Sequence, residues 1–440
     1  MENIFFKKQL DSQDKFKDKE EYQDKAKLED FEYARKHEMW ELQQMQGLPL
    51  STKILLTQSR IRDWVDYYGL NHVTVSVSGG KDSTVLAHIA RQMYPDISLL
   101  YVNTGLEYSE CTKFVKDEYD VGGRLTMLRP FMTFKEVITK YGYPIFGKEI
   151  SGSVSRARNN LQRKTSDKNI YRYFDYLINN RHYSDLQPDI LDYCEKVLCG
   201  DVFVNENMNS LIGKSKSSFF NRKRYKFMLG APFEISELCC NIMKKSVLIR
   251  EEHVSKKYPI TGEMASESLL RTQKWLRVGC NGFNLNHPKS MPLAFWTEQD
   301  ILLYLLAYKV NYCSIYGDII SDKEILDLDR EMHLDLLNKD RAFLSTTNVD
   351  RTGCLYCGFG IQLDNDRLVR LGECGKQKEL DYILRGGNFV DGLWKPDNRG
   401  LGMWFPYAYI NKYSNINITI PNLEKYINEY GMLETKEFLQ

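Results

Sequence analysis

The chain lacks the features that would assign it to a membrane or to the outside of the cell. Its 440 residues contain no apolar run near the roughly 20 residues that a membrane span needs. The N-terminal stretch MENIFFKKQLDSQDKF has no apolar segment followed by a small-residue cleavage site. We therefore expect a cytoplasmic protein with no membrane partner.

An excess of charge of one sign is also missing, and histidine is scarce. Lysine and arginine number 60 and the acidic residues 59, so a generally basic surface is excluded and any nucleic-acid contact has to come from a local patch. The seven histidines do not have the spacing of metal ligands. The ten cysteines of a cytoplasmic chain indicate reduced thiols, metal ligands or catalytic groups, and not a disulfide framework.

Short apolar runs alternate with a helical pattern in the first third of the chain. His72–Val77 and Ile97–Val102 are predicted strands, and Asp82–Tyr94 has helical periodicity. Strand, loop, helix and strand in close succession predict a βαβ unit and a parallel sheet in an α/β fold. Ligands of such sheets bind beyond the carboxyl ends of the strands, where Ser78–Ser83 and Asn103–Gly105 fall.

The sequence SGGKDS has the residues of a phosphate-binding loop. Gly79 and Gly80 let the backbone approach an anion closely. Lys81 adds a positive charge, and Ser78 and Ser83 offer hydroxyl donors at a helix N-terminus. The pattern differs from the G-x-x-x-x-G-K-[ST] loop. A turn with no phosphate-binding role would carry all of these features between a strand and a helix only by coincidence. We therefore interpret SGGKDS as a phosphate-binding loop.

This loop resembles the pyrophosphate-binding loop of the adenine nucleotide alpha-hydrolase superfamily, whose ATP pyrophosphatases (PP-loop enzymes) cleave between the α and β phosphates. The resemblance implies a Rossmann-like parallel sheet with helices on both faces. It implies that ATP is bound by Ser76, Ser78, Gly79, Gly80, Lys81, Asp82 and Ser83. Catalytic roles would fall to Lys81, Asp82 and Ser83, with Mg²⁺ neutralising the phosphates and Asp82 as the nearest carboxylate. We expect Lys81 and Ser83 to lie outside the core.

A second segment narrows the choice among the families of this superfamily. Val102–Glu107, with the sequence VNTGLE, resembles the VDTG strand end of phosphoadenylyl-sulfate (PAPS) reductases and of the ATP sulfurylase small subunit. The resemblance implies nucleotide contacts for Asn103, Thr104 and Gly105.

Two downstream segments are similar to the same family. Gly262–Arg271, with the sequence GEMASESLLR, is similar to its G-x-R-x-x-E-S-x-x-R segment, which implies nucleotide contacts for Glu267 and Arg271. Met264 stands where the family has its first arginine. Pro288–Asp300, with the sequence PKSMPLAFWTEQD, is similar to the R-P-L-x-x-W-T-x-x-D element that closes the domain.

The cysteine spacing predicts a metal centre. Cys354 and Cys357 form a tight C-x-x-C that can place two thiolates on one metal. Together with Cys239-Cys240 they resemble the pattern that binds a [4Fe-4S] cluster in adenylyl-sulfate reductases, where Lys244 matches a lysine near the cluster.

A competing ligand set replaces Cys239 by Cys280. The set Cys240, Cys280, Cys354 and Cys357 is similar to that of the iron–sulfur ATP pyrophosphatases of DNA phosphorothioation. We favour it slightly, because neighbouring side chains on a helix point in directions about 100° apart. Structural zinc fits the same thiolates and is the alternative to the cluster.

A polar and basic stretch runs from Ser151 to Lys226. It is either a solvated charged face or a surface for a phosphate-rich partner such as nucleic acid. Tyr171, Tyr173 and Phe174 either stack on bases there or belong to a core.

Together these observations favour an ATP pyrophosphatase that adenylates an acceptor, such as nucleic acid, for sulfur transfer from a donor protein or thiol reductant. The retained SGGKDS distinguishes it from sulfonucleotide reductases, which carry a degenerate loop. A reductase is still an alternative, because Glu373-Cys374-Gly375 resembles the E-C-G nucleophile motif of that group without its following histidine. A non-catalytic nucleotide-binding regulator is a third hypothesis.

Five regions are predicted along the chain. They are an N-terminal charged helix (1–50), a PP-loop nucleotide-binding core (51–150), a basic helical insertion (151–232), the remainder of the PAPS-reductase-like core (233–310) and a cysteine-bearing C-terminal region (311–440).

Overall fold

The computed structural model of the protein describes residues 36–120, 122–165, 222–322, 343–432 and 435. Most of the predicted N-terminal helix and of the basic insertion lies outside these residues, and so do Tyr171, Tyr173 and Phe174. Within the described part of the chain, no helix combines the length and apolar character required to cross a membrane.

The chain forms two compact units, each assembled from separate segments. The first comprises the described residues of the ranges 1–100, 117–126 and 255–347, and the second those of 101–116, 127–254 and 348–440. Neither unit is a continuous stretch, so the composition along the chain does not delimit them.

The helices and strands follow one another in the order of an α/β protein. The α-helices of the described residues are α1 (Met39–Gln46), α2 (Leu50–Tyr68), α3 (Lys81–Met93), α4 (Ser109–Tyr119), α5 (Phe134–Tyr141), α6 (Lys148–Thr165), α7 (Ser246–Ser255), α8 (Leu269–Val278), α9 (Glu298–Ala307), α10 (Arg367–Glu373), α11 (Gln377–Leu384), α12 (Trp404–Tyr413) and α13 (Leu423–Tyr430). The strands are β1 (Val73–Val77), β2 (Ser98–Val102), β3 (Leu125–Leu128), β4 (Ile145–Phe146), β5 (Tyr258–Ile260), β6 (Asn281–Gly282), β7 (Lys289–Ser290), β8 (Ile319–Ser321), β9 (Leu344–Thr346), β10 (Gly358–Phe359), β11 (Asn388–Val390) and β12 (Leu393–Lys395).

A six-stranded sheet has the strand order β3-β2-β1-β5-β7-β6. Strands β1 and β5 are parallel, with Val75 opposite Ile260, and β5 and β7 are parallel as well. Strand β6 at the edge runs antiparallel to β7. The β1 sequence VTVSV is almost entirely buried, as expected for a parallel strand with both faces covered. The predicted α/β class with a mostly parallel sheet is confirmed.

A buried ion pair joins α2 to the start of α9 in the first unit. The Lys53 ammonium lies 2.7 Å from a carboxylate oxygen of Asp300, and both side chains are at most 4% exposed. The same carboxylate accepts hydrogen bonds from the Thr297 backbone N–H (2.6 Å) and hydroxyl (2.8 Å), which caps α9. Asp300, the last residue of the PKSMPLAFWTEQD segment, therefore has a structural role.

The second unit has a core rich in aromatic rings. Trp394 and Trp404 meet edge to face, with ring centroids 5.5 Å apart. Their indole N–H groups donate to the carbonyls of Gly402 (2.8 Å) and Gly386 (3.0 Å). Gly387 has a φ of +95°, and a Cβ at this position would overlap the Trp394 ring. Only glycine fits this turn around the two tryptophans.

We predict that Lys53→Met destabilises the first unit by about 3 kcal/mol, because it leaves a buried carboxylate without its countercharge. Urea unfolding measures the difference. The matched control is Arg124→Met, which removes an exposed ion pair with Asp96 and should change stability by less than about 1 kcal/mol. Equal effects of the two substitutions would contradict the structural role of the Lys53–Asp300 pair.

Candidate functional site

The SGGKDS loop forms a closed turn in front of α3. Gly79 has a φ of +74°, and Gly80 caps the helix. The Ser83 hydroxyl donates to the Gly80 carbonyl (2.9 Å) and accepts from the Ser78 backbone N–H (3.2 Å). The Ser78 hydroxyl accepts from the Gly80 backbone N–H (3.3 Å). The serines that the sequence assigns to phosphate binding thus also define the shape of the loop.

Lys81 is held by two side chains that sequence reasoning missed. Its ammonium lies 2.9 Å from a carboxylate oxygen of Glu298, at the start of α9, and 5.3 Å from the ring centroid of Tyr316. The Tyr316 hydroxyl accepts the Lys81 backbone N–H at 3.0 Å. Because the Glu298 side chain is 48% exposed, it can give way to an anion that enters the loop.

The expectation that Lys81 and Ser83 lie outside the core is wrong. Lys81 is 3% exposed and Ser83 8% exposed. The reason is that α9 and the 3-10 turn Ser314–Tyr316 contact the first turn of α3 and cover its side chains. The pattern SGGKDS contains no sign of these distant elements.

The first unit brings the GEMASESLLR segment to the phosphate loop. A Cβ at Gly262 would lie 3.1 Å from the carbonyl carbon and oxygen of Asp82 and 3.2 Å from the Ser83 backbone nitrogen. The close approach follows from the parallel pairing of β5 with β1, since Gly262 is the second residue after β5. Asp82, the predicted magnesium ligand, therefore lies beside this segment through its backbone.

Glu267 and Arg271 pair with each other within the same segment. Glu267 accepts a hydrogen bond from the Met264 backbone N–H (3.0 Å) and forms an ion pair with Arg271. Met264, where the family has an arginine, is 3% exposed. This position therefore contributes to the core and carries no charge for a ligand.

Asn103, Thr104 and Gly105 form a tight turn in the second unit. Thr104 donates to Glu107 through its backbone N–H (3.0 Å) and its hydroxyl (2.8 Å). The Asn103 side chain accepts the Gly105 N–H at 3.0 Å. Glu107 also pairs with Lys244, at 3.1 Å. Sequence reasoning missed Glu107, although it is the last residue of the VNTGLE segment.

Cys239 and Cys240 lie at the start of a helix that contains a π-helical turn, Asn241–Lys245, before α7. Such turns are frequent at functional sites. Burial raises the pKa of Cys239 far above its ordinary value, and Cys240, Cys354 and Cys357 raise it further. These four cysteines therefore share one neighbourhood in the second unit.

The C-x-x-C cysteines are partly buried. Burial raises the pKa of Cys354 to about 12, although the nearby Lys244 ammonium lowers it. Burial likewise raises the pKa of Cys357, whose carbonyl accepts a hydrogen bond from Arg367 at 2.9 Å. A cavity of about 80 Å³ borders both cysteines. Lys244 thus lies close to Cys354, as its family match implied.

Cys280 belongs to the first unit. Burial raises the pKa of its thiol to about 11, with Arg60 and Trp275 as neighbours that lower it. The second unit by itself supplies the other set, Cys239, Cys240, Cys354 and Cys357. Neighbouring side chains on a helix point in directions about 100° apart, but this difference does not decide between Cys239 and Cys240 as a ligand. Cys354 raises the pKa of Cys239, and Cys240 raises the pKa of Cys354, so both thiols lie near Cys354.

The donor set has the chemistry of an iron–sulfur or zinc site. Among the described residues, no three His, Cys, Asp or Glu side chains converge as closely as the ligands of a metal ion do. Ligation would therefore require the thiols to come closer together than they lie in this structure. Buried thiols with raised pKa values lose their protons when a metal centre supplies the compensating positive charge.

Comparisons with known proteins agree with the motifs. The sequence profile described as the phosphoadenosine phosphosulfate reductase domain matches residues 72–150 and 191–357, more than half of the chain. An uncharacterized protein of Methanocaldococcus jannaschii is 28% identical over 127 residues. This match covers 28% of the present chain and 29% of the relative, so the chain spans less than a third of that protein.

A solved structure, the U34-tRNA thiolase NcsA from Methanococcus maripaludis with its [4Fe-4S] cluster, aligns at 14% identity. The alignment covers 76% of the present chain and 81% of that chain, with a TM-score of 0.28. A TM-score of this size is no basis for conclusions on fold or function.

We predict that Cys354 of metal-free protein reacts with iodoacetamide at pH 8 at least about 100-fold more slowly than a model thiol, because few of its molecules are thiolate. Lys244→Met should slow the reaction further, since the ammonium lowers the pKa of Cys354. Mass spectrometry of the alkylated peptide measures both rates. A rate equal to that of the model thiol would contradict the burial of Cys354.

Proposed function

Because the chain belongs to the phosphoadenosine phosphosulfate reductase domain family, we propose that it is an ATP pyrophosphatase that adenylates an acceptor for sulfur transfer. The observation that carries the proposal is the complete SGGKDS loop, folded as a closed turn at the start of α3. A nucleotide-binding role in sulfur chemistry follows from the family. The adenylation step is the finer part of the proposal.

The loop supplies the binding of the leaving group. The N-terminus of α3 holds the β and γ phosphates. The Lys81 ammonium turns from Glu298 to the phosphates, where it stabilises the charge of departing pyrophosphate. Mg²⁺ supplies further neutralisation of that charge.

The reaction is a displacement at the α phosphorus. An oxygen of the acceptor forms a bond to this phosphorus while the bond to the pyrophosphate oxygen breaks. Sulfur released from a donor protein as hydrosulfide then attacks the activated carbon of the acceptor. The carbon–sulfur bond forms as the carbon–oxygen bond breaks, and AMP leaves with the oxygen. Nucleic acid is the acceptor that we favour, through the basic insertion at residues 151–232.

The thiols of the second unit complete the proposal. Cys239, Cys240, Cys354 and Cys357 would hold a [4Fe-4S] cluster, with zinc as the alternative. A cluster held by these four thiolates would have a cysteine on each iron, and it would supply electron transfer or structural support there. The Lys244–Glu107 pair places a positive charge beside these thiols and connects them to the Asn103–Gly105 turn.

A second candidate function is the reduction of a sulfonucleotide to sulfite. Burial raises the pKa of the Tyr108 phenol, and the nearby Cys374, which follows α10, raises it further. Tyr108 borders the same small cavity as Cys354 and Cys357. Sulfite formed from a sulfonucleotide and a thiol, and lost in Cys374→Ser, would favour this function over adenylation. ATP binding without turnover would instead favour the regulator.

We predict that Lys81→Met lowers the release of AMP and pyrophosphate from ATP at least about 100-fold, because it removes charge stabilisation of the leaving group. A coupled pyrophosphate assay measures the rate. Lys113→Met, at an exposed lysine of α4, is the matched control and should have wild-type activity.

The substitution Glu298→Gln tests whether Lys81 binds phosphate or only forms a structural ion pair with Glu298. The substitution removes the resting partner of Lys81 but leaves the ammonium available, so pyrophosphate release should persist. If Glu298→Gln and Lys81→Met were equally inactive, the Lys81–Glu298 pair would be only structural and the phosphate role of Lys81 would be contradicted.

We predict that Cys239→Ser or Cys354→Ser abolishes the absorbance near about 400 nm that protein-bound iron–sulfur clusters give. Anaerobically purified protein is the sample. Cys280→Ser should retain the absorbance if the second unit alone holds the cluster, and lose it if Cys280 is a ligand. Colourless wild-type protein with stoichiometric zinc would contradict the cluster.

A further inference from the structure

A cavity of about 290 Å³ lies in the first unit, at the end of α3 that is remote from the phosphate loop. Its lining comes from the last turns of α3 and α4, from Arg124 immediately before β3 and from residues that follow α9. Because α3 has 13 residues, its two ends are about 20 Å apart. The cavity is therefore distinct from the phosphate loop.

The size and lining of the cavity suit a small ligand with an apolar part. Its volume is close to the lower end of the roughly 300–1,000 Å³ that ligand sites occupy. Tyr119, Pro95 and Val310 line it with apolar groups. The lining residues Gln92 and Asn311 are exposed, so the cavity is open to solvent.

Two of the lining residues carry opposite charges that the protein leaves unpaired. Arg91 lies in the last turn of α3 and Glu118 in the last turn of α4. In the described part of the chain neither has an ion-pair partner, and they do not pair with each other. Arg124, by contrast, pairs with Asp96 and donates to the Pro95 carbonyl at 2.9 Å. Arg91 and Glu118 are thus the two charges available to a ligand.

The other titratable side chains of the cavity are neutral. Burial and the positive charge of Arg91 lower the pKa of His88, whose Nδ1 forms a 2.8 Å hydrogen bond with the Tyr304 hydroxyl. Burial raises the pKa of Tyr119 to about 12. At neutral pH a ligand therefore meets one unpaired guanidinium and one unpaired carboxylate.

The Arg91 guanidinium packs on the wall of the cavity. It lies 5.8 Å from the centroid of the Tyr119 ring, which is a cation–π contact. This contact orients the guanidinium without neutralising its charge. Its remaining N–H groups can donate to a carboxylate.

Glu118 has an electrostatically unfavourable position. Helix C-termini carry partial negative charge, and both α3 and α4 end at the cavity. A carboxylate in the last turn of α4 is therefore stabilised by a cationic group of a ligand. The same partial charges disfavour a ligand that is only anionic.

We propose that this cavity binds a small zwitterion, an α-amino acid with an apolar side chain, whose carboxylate pairs with Arg91 and whose ammonium pairs with Glu118. The side chain of the amino acid packs against Tyr119, Pro95 and Val310. The site is separate from the phosphate loop, so its occupation does not depend on ATP cleavage.

Calorimetric titration of the full-length protein with L-leucine, L-methionine and L-phenylalanine tests the site. We expect at least one of the three to bind with a Kd of about 1 mM or less. Each is compared with its analogue that lacks the amino group and its analogue that lacks the carboxylate, which for leucine are 4-methylpentanoate and 3-methylbutylamine. Both analogues of the amino acid that binds should bind at least about tenfold more weakly, because each loses one charge-assisted pair.

Glu118→Gln and Arg91→Gln test which residues hold the two charged groups. Each should weaken binding of the amino acid at least about tenfold. In Glu118→Gln, which preserves the shape of the side chain, the amino acid and its analogue without the amino group should bind equally. Asp117→Asn and Lys113→Gln, at exposed residues of α4 outside the cavity, are the matched controls and should bind as wild type does.

Three results would overturn the site. They are the absence of binding of all three amino acids to the wild-type protein, equal wild-type affinities for the amino acid and its analogue without the amino group, and binding that neither Glu118→Gln nor Arg91→Gln weakens. Glu118→Gln alone is sufficient for the last comparison if Arg91→Gln does not fold.

Discussion

The close approach of Gly262 to the first turn of α3 is the constraint on which the candidate site depends. The parallel pairing of β5 with β1 brings the end of one strand against the loop that follows the other. A side chain at this position would press on the Asp82 carbonyl and the Ser83 amide. With glycine there, the GEMASESLLR segment comes close to the backbone of the phosphate loop.

Charge compensation explains much of the remaining arrangement. Lys81 is buried and pairs with Glu298, a carboxylate exposed enough to be displaced. In the second unit, Lys244 lies between Glu107 and the Cys354 thiol, and its positive charge opposes the effect of burial on that thiol. Both lysines are partnered by groups of their own unit, which compensates their positive charge before a ligand or metal arrives.

Local sequence patterns predicted the strand, loop and helix that form the phosphate site. The predicted strand His72–Val77 and the helical pattern from Asp82 correspond to β1 and α3 within one residue at their starts. The burial pattern of a strand or helix and the residue types of a turn are local properties, so they can be predicted from the sequence. The resemblance to a known cluster motif pointed to Cys239, Cys240, Cys354 and Cys357, which lie in one unit, whereas the set that we favoured included Cys280, which lies in the other unit.

Contacts between segments that are far apart in the sequence could not be predicted in this way. The burial of Lys81 depends on Glu298 and Tyr316, more than 200 residues away along the chain. Asp300 was matched to a family element, yet its role as the partner of Lys53 became visible only in the fold. Each of the two units is also built from segments that are far apart in the sequence, so the composition along the chain does not show where a unit begins or ends.

The identity of the products formed from ATP tests the account most directly. Anaerobically purified protein, incubated with ATP and Mg²⁺ with and without nucleic acid, would be analysed by anion-exchange chromatography and phosphorus NMR. The account predicts AMP and pyrophosphate, because the loop holds the β and γ phosphates as a leaving group. Formation of ADP and inorganic phosphate, or no cleavage of ATP under any of these conditions, would contradict it.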